Sequence, residues 1–549
     1  LMAFTPPVDI IAYKRLVTAG NDEIWYEDLD AVTAGTMVEL TDARDDIDTS
    51  DQLNMFEAYQ KVFIVNGANL KVADFVNTKL TSNAEITTLP AHGDIIRQEQ
   101  GGTAIAYMVV DFISKYNTTT ANKHLIYGYA YYGGTATAFN TTNDIIDADD
   151  AVVIDGGDDL TVAADSSPHW YDWTVYNGDT TTYGTMPNKA YLGCLYCGRG
   201  IISGNPEHPD QWYMTRQTNL WDFSYLAGDA GTPVAGGNAD AGELGDIIRC
   251  LIPYKDDYLI FGCATCIWYL SADPAYGGEL GGLDLTTGIF GANSWCWDGA
   301  GNLYFWGTNG FYKTTIPGTP ICLSAIALPD IIKDRAADPS THRITMAYNR
   351  IDYGIHICIT LLEDGSNYNY WYDLKTEGFF LETYPIQCGA YSLFYYAAND
   401  TTLRDMLVGC KDGYLRKFDK TAEDDNIGGS DQLIDSYAVL GPIQLSDGIN
   451  DGTLGNINVV SAGGISGGGD DSDDIDFSVF SARTSEHITK TITAKYSGTF
   501  SSPGYQKGNK DRRKARGRFG AVKIGNDTLT ETWGFEKLTL DVKQIGRVL

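Results

Sequence analysis

The apolar positions of this chain recur with a period of two. The stretch "NKAYLGCLYCGRGIISGNPEHPDQWYMT" from Asn188 alternates, breaks at Gly-Asn-Pro, and restarts on Trp212-Tyr213. Successive side chains of a strand point to opposite faces, so this alternation predicts strands. The same grammar of strand, Gly/Asp/Asn turn, strand and aromatic close begins again at Met55, Asp246, Asn293, Arg343 and Cys388. Successive starts lie 133, 58, 47, 50 and 45 residues apart. All but the first interval suit one four-stranded blade of a β-propeller, about 40–50 residues. Within the units, Asn309-Gly310 and Asp412-Gly413 fall where tight hairpin turns are expected. The pattern predicts an all-β chain: a β-propeller of about six blades.

The long first interval predicts an insertion. One blade of about 48 residues leaves about 85 over, too many for a structureless loop. Residues 86–168 change character, with two related strand pairs around Gly-Gly-Thr-Ala at 101–104 and 133–136. They are read as an inserted small β-barrel. Residues 1–85 then hold an N-terminal segment and the first blade, and residues 169–430 the remaining blades. Beyond 430 the blade grammar stops. Strands such as "DIDFSVFSARTSEHITKTITAKY" predict a C-terminal antiparallel β-sandwich or platform domain over 431–549.

Composition sharpens this picture. The chain has 549 residues and is 43% hydrophobic, so it can bury a large core. Its 72 acidic and 39 basic residues give a net charge of −33, which repels nucleic acid. No apolar run approaches the roughly 20 residues of a membrane-spanning helix. No basic segment followed by an apolar one opens the chain, so no secretory signal is expected. The start, Leu1-Met2, suggests an initiator other than the first residue or a trimmed start.

Candidate chemistry is sparse. His208 and Glu207 stand together on a turn, but one such pair is weak beside the reading of Pro206 and Pro209 as turn punctuation and Trp212 as a core anchor. Cys194 and Cys197, at strand spacing, point to opposite faces; Cys263 and Cys266 flank a two-residue turn where their thiols could meet. The acidic "DADDAVVIDGGDD" lacks the ordered ligand spacing of a calcium loop, so a solvated turn is favoured. No nucleophile elbow, zinc helix or phosphate loop is present, so no catalytic residue, metal or cofactor is expected. The one concentrated basic segment holds Lys507, Lys510, Arg512, Arg513, Lys514, Arg516 and Arg518. In so acidic a chain, contact with an acidic neighbouring surface is a natural role for it.

"RGIISGNPEHPDQWYMTRQTNLWDFS" followed by "DIIRCLIPYKDDYLIFGCATCIWYLSADP" resembles the propeller region of the tail nozzle proteins of short-tailed bacteriophages, the tail tubular protein B type. "TTGIFGANSWCWDGAGNLYFWGTNGFYK" looks like their following blade, and "RGRFGAV" with "GFEKLTLDVKQIGRV" like their C-terminal strand pair. The inserted module is similar to the small barrel that some members carry. The resemblance covers most of residues 50–549. It implies a homo-hexameric ring at the distal end of the tail, below the tail adaptor protein and beside fibres or spikes. Such a protein is a virion component, assembled in the host cytoplasm, that retains the genome and then opens. Double-stranded DNA would pass without specific binding. In such a ring the basic segment could face a neighbour's acidic run, Asp470, Asp471, Asp473, Asp474 and Asp476. Two other classes stand beside this: a carbohydrate-binding or hydrolysing propeller of a receptor-binding or spike component, and a solitary scaffold propeller.

Overall fold

Among the described residues of the computed structural model, seven antiparallel sheets follow one another between Val17 and Lys417, besides an inserted eighth. The structure describes residues 2–4, 12–41, 47–117, 122–132, 138–226, 228–236, 244–419, 422–447, 450–463, 472–490, 493–501 and 508–547. Each of the six units read from the sequence opens one sheet, with first strands at Asn54–Ala58, Leu192–Tyr196, Ile248–Tyr254, Trp295–Trp297, His342–Asn349 and Ala390–Tyr396. The remaining sheet precedes them and is made of Val17–Gly20, Glu23–Glu27 and Met37–Glu39. Five sheets have four strands, whereas this one and the last have three. The chain is therefore all-β and propeller-like, as the period-two pattern predicts.

Apolar residues on the faces of the sheets weld many of them to their neighbours. Trp212, Leu251, Leu259 and Phe261 share one cluster between the third and fourth sheets. Ile252, Ile260, Leu303 and Phe305 share another between the fourth and fifth. Burying such side chains is the main stabilising term, at about 1.5–3 kcal/mol each. First and last sheets meet directly. The Tyr396 hydroxyl donates to the Glu27 carboxylate, and Lys14 and Asn399 exchange hydrogen bonds at 3.2 and 3.0 Å. That contact closes the circuit.

The insertion enters the second sheet between its third strand, Asn69–Asp74, and its fourth, His169–Asp172. It forms a separate six-stranded antiparallel sheet of Thr78–Ser82, Ile95–Gln100, Thr103–Asn117, Asn122–Tyr131, Ile145–Ile146 and Val152–Ile154. The sheet begins at residue 78 rather than the expected 86, because Thr78–Ser82 pairs with Asn122–Tyr131. Its two edge strands are not paired with each other, so it is a half-barrel. Residues 159–165 run beside one edge: the Asn83 amide donates to the Asp159 carbonyl at 2.9 Å. Gly101 and Gly102, at φ +61° and +79°, make a tight turn at the first Gly-Gly-Thr-Ala. The second, at 133–136, lies outside the described residues. In the fifth sheet the hairpin turn is Thr308-Asn309, one residue earlier than read, and Gly310 already pairs with Gly307.

Residues from Asp419 onward make a second compact unit, beginning a little before the expected boundary. The hairpin Asp424–Ile427 and Ser430–Leu433 belongs to it. Its two main sheets share one core that includes Leu454, Ile457, Val459, Phe477, Val479, Val522 and Ile524. The closing strand, Phe535–Arg547, pairs along most of Asn450–Ser461.

Candidate functional site

The residues expected at a subunit contact lie in the C-terminal unit. Lys507, Asp470 and Asp471 fall outside the described residues. Lys510 is exposed on Gly508–Asp511, and Arg512 and Lys514 are exposed in the segment that follows. Arg513 and Arg516 are engaged within the chain. Arg513 pairs with Asp511 at 2.9 Å and lies over the Tyr496 ring, 4.7 Å from its centroid. Arg516 pairs with Asp451 at 3.1 Å. The Nε of Arg518 is buried and has no hydrogen-bond partner.

Two of the acidic side chains, Asp473 and Asp476, accept hydrogen bonds from within the unit. Asp473 accepts the Thr532 amide at 3.0 Å, the Asp474 carbonyl accepts the Asn526 amide group at 2.8 Å, and Asp476 accepts the Thr499 hydroxyl at 2.5 Å. Asp476 belongs to one sheet of the unit, whereas Lys510 belongs to the other. The paired arginines take carboxylates outside the acidic run. Arg513 and Arg516 are exposed as well as Lys510, Arg512 and Lys514, but those two are held in ion pairs within the chain.

Other sequence candidates fall into place as elements of the fold. Pro206-Glu207 is the turn of a hairpin, His208 is exposed, and Trp212 is buried against Phe261. Glu207 lies 3.5 Å from the Lys189 ammonium rather than on an imidazole. The Cys263 amide donates to the Cys266 carbonyl at 2.9 Å, closing the two-residue turn read between them. Asp147 accepts the amides of Asp149 and Ala151, both at 2.9 Å, which makes it a turn residue.

A denser cluster of chemistry sits where the second sheet meets the insertion. Lys61 begins a strand opposite Asp74, and Asp111 stands at a bulge between Val110 and Phe112 on the long strand Thr103–Asn117. A bulge re-aims a side chain, and this one brings Asp111 to Lys61, Nζ to Oδ2 at 3.0 Å. The Asn77 amide group donates to both carboxylates, to Asp111 at 2.8 Å and to Asp74 at 2.7 Å. The Tyr171 hydroxyl also donates to Asp74, at 2.8 Å. His92 Nδ1 is 2.8 Å from the Asp111 carbonyl oxygen. Phe63, Phe112 and Trp221 wall the cluster, with Phe112 stacked on Trp221 at 4.1 Å. A cavity of about 400 Å³ opens onto it, lined in part by Gln60, His92 and Tyr129.

Burial opposes charge on both partners, and the neighbouring charges oppose burial. Desolvation pulls the Lys61 pKa down, but Asp111 and Asp74 outweigh it and hold the ammonium above its ordinary value. Desolvation likewise pushes Asp111 up, but Lys61, His92 and its hydrogen bonds hold it below the ordinary carboxylate value. Sequence reasoning passed over this cluster because acidic residues are so many. The usable signal was a charge inside an apolar strand: Lys61 in "KVFIVN" and Asp111 in "MVVDFI".

No family model matches the sequence, and no curated protein matches it. Among solved structures it is similar to the extracellular domain of a one-component system from B. thetaiotaomicron, with 11% identity and a TM-score of 0.31. That match covers 70% of this chain and 39% of the other, so this chain spans about two fifths of that protein's length. An exo-β-1,3-galactanase from Phanerochaete chrysosporium follows at 11% identity and TM-score 0.21, covering 84% of this chain and all of the other. An auxiliary nutrient-binding protein from Bacteroides ovatus has 10% identity and TM-score 0.22, covering 68% and 87%. Likenesses this distant carry no argument about activity. Among the described residues, no helix is long and apolar enough to cross a membrane.

Proposed function

We propose that this chain is a structural virion protein: a subunit of the distal tail nozzle of a short-tailed bacteriophage, acting as conduit and gate for genome retention and DNA ejection. The order of modules carries the reading. A propeller is interrupted in one early blade by a smaller sheet, and a separate β-sandwich completed by the last strand follows. This is the order that the sequence resemblance implies. Charge supports it. Residues 1–418 hold 53 acidic and 24 basic residues, a net −29, whereas residues 419–549 hold 19 and 15, a net −4. An acidic wall lets a polyanion slide without releasing counterions at each step. The less charged unit, with Lys510, Arg512 and Lys514 exposed, then supplies contacts to an acidic neighbour in a homo-hexamer.

Electron microscopy and native mass measurement of the purified full chain, together with proteomics of the virions, test this. Six-fold rings in the parent are the expected outcome. A Lys510→Glu, Arg512→Glu, Lys514→Glu variant should lose the rings while keeping the parental unfolding midpoint. A parent that stays monomeric and is absent from virions overturns the assignment.

A second reading, a carbohydrate-binding propeller, is favoured by one observation. The first strand Asn54–Ala58 runs beside Leu192–Tyr196, and His342–Asn349 beside Ala390–Tyr396. There the Tyr191 hydroxyl donates to Asp51 at 2.8 Å, and Arg343 stacks over Tyr391 at 4.4 Å. Stacking rings beside a carboxylate and a guanidinium suit an acidic sugar. A glycan array on the parent and on Tyr391→Ala decides it: no binding by the parent removes this reading.

A further inference from the structure

We propose that Lys61 and Asp111 condense into an intramolecular isopeptide bond, which ties the second sheet covalently to the inserted one. The inference does not depend on the nozzle reading. Two local devices bring these side chains together. Strand register sets Lys61 opposite Asp74, and the bulge in the neighbouring sheet aims Asp111 at the same point. The amine nitrogen lies 3.0 Å from a carboxyl oxygen, and the side chains of Lys61 and Asp111 are only 7% and 22% exposed. Nucleophile and electrophile held at such separations react as one molecule rather than two.

The surroundings favour the amide over the ion pair. Keeping two charges among Phe63, Phe112 and Trp221 carries a desolvation cost that a neutral amide does not. The new carbonyl would inherit the hydrogen bond from Asn77, which now goes to Asp111. Asp74 provides the second carboxylate that proton transfer requires. It is fully buried and is linked to Asp111 through the shared Asn77 amide group.

The step balances without any co-reactant. The ammonium proton of Lys61 passes to the Asp111 carboxylate, leaving a neutral amine and a neutral acid. Nζ attacks Cγ and the C–N bond forms. Asp74 takes the second proton from nitrogen and delivers it to the departing hydroxyl, so that the Cγ–O bond breaks. One water leaves through the adjoining cavity, Asp74 is returned to its starting state, and nothing is oxidised or reduced.

Intact mass of the denatured full chain tests this directly. The expected parent is lighter than its sequence mass by one water, and peptide mapping finds the Lys61 peptide joined to the Asp111 peptide. Lys61→Ala and Asp111→Ala should each restore the full mass. Asp74→Asn, which keeps the side-chain shape, should accumulate uncondensed chain. A parent at its full sequence mass overturns the proposal without any variant having to fold. A parent lighter by one ammonia overturns it too, because Asn77 would then be the partner.

Discussion

Arg199 is a guanidinium without solvent, 0% exposed, that joins the third sheet to the fourth. Its Nε donates to Asp273 at 2.8 Å, and its Nη1 donates to the carbonyls of Thr215 and Thr232 at 3.0 and 2.7 Å. Every charge-bearing edge has a partner, so the pair is tolerated; removing one member leaves the other buried and bare. Arg199→Met should therefore cost about 3–5 kcal/mol. A shift of the denaturant midpoint reads this, and an unchanged midpoint would show that water reaches Asp273. At this scale the sequence was legible where a residue has one role. Trp212 reads as an anchor and His208 as surface, and both are so placed. It was not legible where a role arises only from convergence. Lys61, Asp74 and Asp111 are separated by 13 and 37 residues along the chain, and no spacing rule joins them.

Elements were legible in proportion to their length. The sheets that the six units open contain runs such as Gly354–Leu361 and His342–Asn349, whose alternation is long enough to show. The sheet at residues 17–39 has strands of four, five and three residues, too short to display a period, and so the sequence left it unread. The strand Thr78–Ser82 was missed for another reason: it continues smoothly from its blade and changes partner only in space. The insertion and the strand that follows it, His169–Asp172, each hold an acid-sensitive histidine. His124 Nδ1 accepts the Ile86 amide at 3.0 Å, and burial pulls the His124 pKa below its ordinary value. Burial does the same to His169, whose Nε2 has no hydrogen-bond partner. Both are neutral in the fold, whereas the unfolded chain titrates near pH 6.5. Below that pH the unfolded state binds more protons, so stability falls as pH falls from about 6.5 toward the folded pKa values. Hydrogen exchange at pH 7.5 and 5.5 should show Asn122–Tyr131 and His169–Asp172 losing protection before Gly354–Leu361. Equal protection at both pH values would remove the histidines as the cause.

The whole molecule is divided by charge as well as by contact. A unit at net −29 should refuse double-stranded DNA even at low ionic strength, where attraction to any basic patch is strongest. Gel-shift titration at low salt tests this. A complex that weakens steeply with added salt would mean that the basic segment, not the net negative charge, governs the encounter.

The contact between Glu27 and Tyr396, with Lys14 against Asn399, makes the beginning and end of the propeller neighbours in space. Chain order then becomes an accident of where translation starts. A circular permutant of residues 14–418, opened between the exposed Pro339 and Ser340 and rejoined by a short Gly/Ser linker, should reach the same fold. Its thermal midpoint should stay within a few degrees of the unpermuted unit, a change of about 1 kcal/mol. If it fails to fold, closure depends on the order in which the sheets emerge, and this circuit has a true starting point.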